Sequence, residues 1–168
     1  RARISHGKQS VGSTRGASSH RYNPFVILAR SETSEETGEC YGASFVYSGS
    51  FSAEAEKDQY DQIRFVMGLS EEQFSYPLDK GEIFHAPEVV LSYSAEGFQE
   101  LSCHFHQCVR EHICRGRYRD RIRPVLVNSW EACYFDFNGE DIVRLAEQAA
   151  ELGIEMVVMD DGWFGQRE

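Results

Sequence analysis

The sequence predicts an α+β chain in three parts. Antiparallel β structure fills residues 1–95, a linker helix and extended basic segment fill 96–123, and a parallel strand–helix–strand unit opens over 124–168. Three observations carry this. Short runs dense in β-branched and aromatic residues, divided by turn clusters, occupy the first half. A single apolar stripe at helical spacing comes next. The last third ends its second strand in Met159-Asp160-Asp161-Gly162-Trp163-Phe164-Gly165, where charge, a tight turn and an indole arrive together.

Residues 1–22 are rich in Ser, Gly, Arg and His, lack periodicity and read as loop. Strands are expected at 25–29, 40–47, 63–69 and 89–93, with turns at Ser48-Gly49-Ser50, at 58–62 and at Asp79-Lys80-Gly81. Ala43, Phe45 and Tyr47 alternate, as do Ile63, Phe65 and Met67, so each strand has one buried face. Short strands repeated in this way point to part of an antiparallel sandwich. Glu54, Glu56 and Asp58 read as exposed strand or turn positions.

From Glu96, the residues Leu101, Phe105, Cys108, Val109, His112 and Ile113 fall on one helical face, and the helix is expected to stop near Arg115-Gly116. Arginines then occupy every second position from Arg115 to Arg123, interrupted in charge by Asp120, and read as a solvated or domain-docking segment.

Val125-Leu126-Val127-Asn128-Ser129-Trp130 is a short apolar strand with a polar and aromatic end. Asn138 is an N-cap, with Glu140 and Asp141 in the first turn, where a carboxylate complements the helix dipole. Ile142, Leu145, Ala146, Ala149 and Leu152 mark the helix face, and Gly153 supplies the left-handed residue after it. Ile154-Glu155-Met156-Val157-Val158 then reads as a strand buried on both faces. A helical crossover makes the two strands parallel and, within one sheet, right-handed.

Bulk properties narrow the partners. The 168 residues are 41% hydrophobic, enough for a domain core, and carry a formal net charge of -10. That balance disfavours nucleic acid and anionic membranes as partners and suits small neutral substrates. These residues hold no apolar run of bilayer-spanning length and no basic-then-apolar pattern of the signal-peptide type. The chain starts at Arg1 and stops at Glu168 just past a motif, so it reads as cut at both ends. Five cysteines, an odd number without framework spacing, suggest reduced thiols in a cytoplasmic compartment.

Parallel strands place their carboxyl ends on one rim, so Trp130 and the Asp160-Asp161 pair are expected to face one site. Carboxylates accept hydroxyl protons and an indole offers a flat apolar face, which is the chemistry of hexose recognition. Two other readings stay open: a Mg²⁺ site, for which no Gly-rich phosphate loop is visible, and plain capping by Asp160 and Asp161 with Trp130 and Trp163 in the core. His104, Cys108 and His112 are spaced like ligands along a helix, but Cys108 and His112 share its apolar stripe and read as core. No metal and no cofactor is expected.

Arg121-Ile122-Arg123-Pro124-Val125-Leu126-Val127-Asn128-Ser129-Trp130-Glu131-Ala132, Tyr134-Phe135-Asp136-Phe137, Leu152-Gly153-Ile154-Glu155 and the Asp160-Asp161 stretch together resemble bacterial α-galactosidases of glycoside hydrolase family 36. Ser18-Ser19-His20, Asn23-Pro24-Phe25, Tyr41-Gly42 and Val46-Tyr47-Ser48-Gly49 resemble that family's N-terminal β domain. The resemblance implies an internal fragment: the end of a β-sandwich, a linker helix, and the first βαβ unit of a (β/α)8 TIM barrel. It implies Trp130, Asp160 and Asp161 as the subsite for terminal galactose, with the acids on the C4 and C6 hydroxyls. It further implies retaining hydrolysis of α-galactosyl oligosaccharides such as melibiose and raffinose by a homo-oligomer, a tetramer in many bacterial members. Both catalytic aspartates would lie on later strands, leaving no catalytic residue here and the isolated piece inactive. Ser129 stands where many relatives have Asn. Galactosyl transfer of the raffinose-synthase type and a non-catalytic carbohydrate-binding β module are the alternatives.

Overall fold

In the computed structural model, which describes residues 2–18, 20–72 and 74–165, the β-rich part forms two three-stranded antiparallel sheets. One takes β1 (Gly7–Ser13), β4 (Phe51–Lys57) and β5 (Ile63–Leu69) in the order β1-β4-β5. The other takes β2 (Phe25–Ala29), β3 (Cys40–Phe45) and β6 (Val89–Ser94) in the order β2-β3-β6. Phe45, Phe51 and Ala53 form a buried cluster joined by Val11, Val26, Phe65, Met67, Leu69 and Val89, so strands of both sheets share one core. Ser19, within the stretch likened above to the β domain, lies outside the described residues.

Along β4 the pleat puts Phe51, Ala53 and Ala55 inside and turns Glu54 and Glu56 outward. There they pair with Lys8 at 2.7 Å and Arg64 at 3.5 Å on the flanking strands. Asp58 closes the β4–β5 hairpin by accepting the Tyr60 and Gln62 N–H groups at 2.8 and 2.9 Å. β1 corrects the reading of residues 1–22 as loop. It pairs with β4 from Gly7↔Lys57 to Ser13↔Phe51, and that ladder stands in for the apolar side chains it lacks. Gly12 is required there, because a Cβ would sit 2.5 Å from the Phe51 carbonyl oxygen.

α1 (Gly97–Cys108) packs on the second sheet through Leu101 and Phe105, which cluster with Cys40. The Phe105 ring lies over Gly42, where a Cβ would come within 2.4 Å, and meets Phe25 edge-on at 5.1 Å. Glu96 makes no side-chain cap. Instead Gly97, Phe98 and Gln99 donate their N–H groups to the carbonyls of Gly38, Ser34 and Glu35, each at 3.0 Å, so a loop satisfies the helix start.

A π-helical turn, Val109–Ile113, continues α1. It swings the expected stripe off the sheet: Cys108 is half-buried, and Val109, His112 and Ile113 are exposed. His112 is therefore not a core residue; it faces Glu111 at 3.8 Å. The chain divides into two compact units, Arg1–Ile113 and Cys114–Glu168.

In the second unit, β7 (Leu126–Asn128) and β8 (Met156–Val158) are parallel, in the register Leu126↔Met156, Val127↔Val157, Asn128↔Val158. Between them run the single turn α2 (Trp130–Cys133) and α3 (Gly139–Glu151). Asn138 caps α3 by accepting the Glu140 and Asp141 N–H groups, while the Asp141 carboxylate takes the Asn138 N–H at 3.0 Å. Gly153 follows the helix at φ +79°. Ala149 is the buried point of the α3 face, whereas Leu152 is 81% exposed, beyond the last helical turn. The expected double-sided burial of β8 is also absent: Met156 is exposed, and Val157 and Val158 are only half-buried. No helix of the described residues is long and apolar enough to cross a membrane.

Candidate functional site

The parallel pair sets the positions of the groups at its two strand ends, residues 128–130 and 160–161. Beyond the last ladder step, Ser129 donates its N–H to the Val158 carbonyl at 3.0 Å, which carries the pairing to the strand ends. The Ser129 side chain is wholly buried, and its Oγ accepts the Asp160 N–H at 3.1 Å. Asn128 bridges the two strands through its amide: Nδ2 donates to Asp160 Oδ2 and Oδ1 accepts the Trp130 N–H, both at 2.8 Å. The Asp160 Oδ1 accepts the Asp161 N–H at 2.8 Å, and the Asp161 Oδ1 accepts the Gly162 N–H at 3.0 Å.

Aromatic rings support the Trp130 side. The half-buried indole meets Tyr134 and Phe135 edge-on, at 5.3 and 4.9 Å. Tyr134 stands at φ 49° where α2 ends, and its hydroxyl donates to Glu131 Oε2 at 3.0 Å. Gly162, at φ +95°, turns the chain after the carboxylates against these rings. A Cβ there would lie 3.2 Å from Phe137 and 3.3 Å from Phe135. Trp163 is 69% exposed and meets Phe164 edge-on.

Both carboxylates are exposed, and among the described residues neither pairs with a cation. Each oxygen of an ionised carboxylate offers two lone pairs, so acceptor capacity is left for a polyhydroxyl ligand. Of the residues expected from the sequence, Trp130 and Asp160 are joined through Asn128, while Asp161 follows Asp160 with no direct bond to Trp130. Neither Asn128 nor Ser129 is a candidate site residue from the sequence, Ser129 standing out only as a position where many members of the resembled family have Asn. Their shared sequence signal is polarity at the end of an apolar strand, two residues and one residue before the indole.

The other candidates do not gather into sites. His104 lies between Ser92 Oγ at 3.3 Å and Glu100 Oε1 at 3.1 Å, fastening α1 to β6. Among the described residues, no three His, Cys, Asp or Glu side chains could hold a metal ion together. Arg115, Arg117, Arg119, Arg121 and Arg123 are all exposed, Arg117 lying over the Tyr118 ring. A surface depression lined by Asn138, Gly139, Glu140, Val143, Arg144 and Glu147 follows the outer side of α3 and includes neither carboxylate.

Comparison with known proteins bears on both units. The Melibiase family model matches residues 83–168, and the glycosyl hydrolase family 36 N-terminal domain matches residues 1–79. The chain is 62% identical over 167 residues to the bifunctional alpha-galactosidase/sucrose kinase AgaSK of Mediterraneibacter gnavus, covering 99% of this chain and 18% of that protein. It is 52% identical to alpha-galactosidase AgaA of Geobacillus stearothermophilus, covering 96% of this chain and 22% of that one. The chain thus spans about a fifth of these relatives. The solved galactosidase domain of AgaSK superimposes with a TM-score of 0.93, covering 98% of this chain and 23% of that domain. Variants of AgaA solved with stachyose and with raffinose superimpose at 0.92 and 51% identity, again over 98% of this chain and 23% of theirs.

Proposed function

The chain belongs to the Melibiase family, glycosyl hydrolase family 36, and from that premise we propose that it is part of an α-galactosidase, a retaining hydrolase of terminal α-galactosyl residues in oligosaccharides. The first unit then contributes to an N-terminal β-sandwich, a reading supported by two antiparallel sheets around one core. β7, α3 and β8 form the first βαβ step of a (β/α)8 barrel, supported by a parallel pair joined through a helical crossover.

Trp130, Asp160 and Asp161 line the subsite for the terminal galactose. The carboxylates accept the protons of its C4 and C6 hydroxyls, and the indole gives a flat apolar wall. One observation carries this assignment: the Asn128 amide ties the Asp160 carboxylate to the backbone of Trp130, at the strand ends where α/β barrels bind ligands. The stachyose and raffinose bound to the AgaA variants are oligosaccharides of the proposed class.

Neither aspartate is assigned to bond cleavage. Retention needs two carboxyl groups about 5 Å apart on opposite faces of the anomeric carbon. Asp160 and Asp161 are neighbours linked by an N–H to carboxylate bond, and they bind the sugar from one side. The nucleophile and the acid/base then come from other parts of the protein.

Asp160→Asn in the intact enzyme tests the assignment. Each charge-assisted hydrogen bond lost is worth about 1.5–3 kcal/mol, so kcat/KM toward an aryl α-galactoside should fall at least about tenfold. Unchanged kcat/KM and unchanged galactose affinity would overturn it. So would robust turnover by residues 1–168 alone that disappears on the same substitution.

A further inference from the structure

We infer that Asn128 is a positioning residue of the galactose subsite: its amide locks the Asp160 carboxylate and the Trp130 turn to one another, so that the two walls of the subsite hold one spacing. This rests on the assignment of Trp130 and Asp160 to galactose binding.

The chemistry of the two partners selects the side chain. The Trp130 N–H can only donate, and an ionised carboxylate can only accept. One group that serves both must present an acceptor and a donor on a short, rigid frame, and the primary amide of asparagine does so. Its orientation is fixed by those partners: Oδ1 faces the N–H and Nδ2 faces the carboxylate, both at 2.8 Å. The strand holds the frame itself, since Asn128 is the last paired residue of β7, across from Val158.

Asp160 is fastened at three points. Asn128 takes Oδ2, the Asp161 N–H takes Oδ1, and the buried Ser129 hydroxyl takes the Asp160 N–H. With each oxygen bonded once, the plane of the carboxylate is set, and the lone pairs left over meet sugar hydroxyls in one orientation. Such pre-arrangement spares the ligand the cost of ordering its site. Asn128 thus acts on galactose without touching it.

The test uses the intact enzyme, with galactose binding followed by calorimetry. Asn128→Ala should weaken galactose by about tenfold, the worth of one hydrogen bond to a charged group. Combined with Asp160→Ala it should add less than about twofold, because Asp160→Ala already removes the carboxylate that accepts from Asn128. Asn128→Asp keeps the acceptor for Trp130 but sets a second carboxylate 2.8 Å from Asp160. Its galactose affinity should be low near neutral pH and recover toward wild type in mild acid, when a shared proton restores a donor.

Additive losses in the double variant, or an Asn128→Asp defect that ignores pH, overturn the role of Asn128. If Asp160→Asn alone leaves galactose affinity unchanged, the subsite assignment itself falls instead.

Discussion

Gly162→Ala perturbs the carboxylate turn chiefly through the backbone. The glycine stands at φ +95°, where an L-residue carries a penalty of about 1–2 kcal/mol. Contacts add less: the new Cβ would meet the rings of Phe137 at 3.2 Å and Phe135 at 3.3 Å, with the Phe135 Cα at an ordinary 3.5 Å. Phe135 is 63% exposed and can give by the few tenths of an ångström required. If the turn relaxes to relieve the strain, it draws on the Gly162 N–H bond to Asp161 and turns that carboxylate. One to two kcal/mol expressed in binding is about a five- to thirtyfold loss of galactose affinity in the intact enzyme. Gly153→Ala is the matched control. It sits at φ +79° before the other end of β8 with nothing within 4 Å of its Cβ, so it should lower thermal stability and leave galactose affinity alone. Equal affinity losses from both variants, or none from Gly162→Ala, would refute the claim that this turn aims the carboxylates.

Three further outcomes rest on contacts elsewhere in the chain. Gly97→Ala, at φ +88° with its Cβ 2.6 Å from the Ser34 and Glu35 carbonyl oxygens, should cost upward of about 2 kcal/mol in thermal or urea unfolding. Asn138→Ala removes the α3 cap and should destabilise by about 1 kcal/mol, read as a lowered urea midpoint, with galactose affinity retained. The Asp61 carboxyl is held below its ordinary range by the hydrogen bond and charge of Lys57. Its stabilising effect is present above that ordinary value and fades as pH falls through the lowered one, though exposure keeps it small. Lys57→Met should therefore raise the Asp61 titration midpoint in an NMR pH series.

How much of this was legible in the sequence depended on where the information sits. Strands 25–29 and 63–69 announce themselves by β-branched and aromatic density, and the α3 boundaries by Asn138 and Gly153, because these are local signals. β1 was hidden, since GKQSVGS has one apolar residue and gains its form from pairing with β4. The stripe on α1 read too long because nothing local marks a π-helical turn at Val109. At the site, the indole and the twin acids were visible from their residue types and from the crossover that aligns their strands. The bridge by Asn128 was not. It depends on the register that sets Asn128 opposite Val158, and a register is a property of two strands together.

A crystal structure of the intact protein with galactose addresses the central claim most directly. The account predicts the C4 and C6 hydroxyls about 3 Å from the carboxylate oxygens of Asp160 and Asp161, the Trp130 indole against the sugar, and the Asn128 bridge intact behind them. Galactose bound elsewhere, or held with these three side chains turned away from it, would contradict the account.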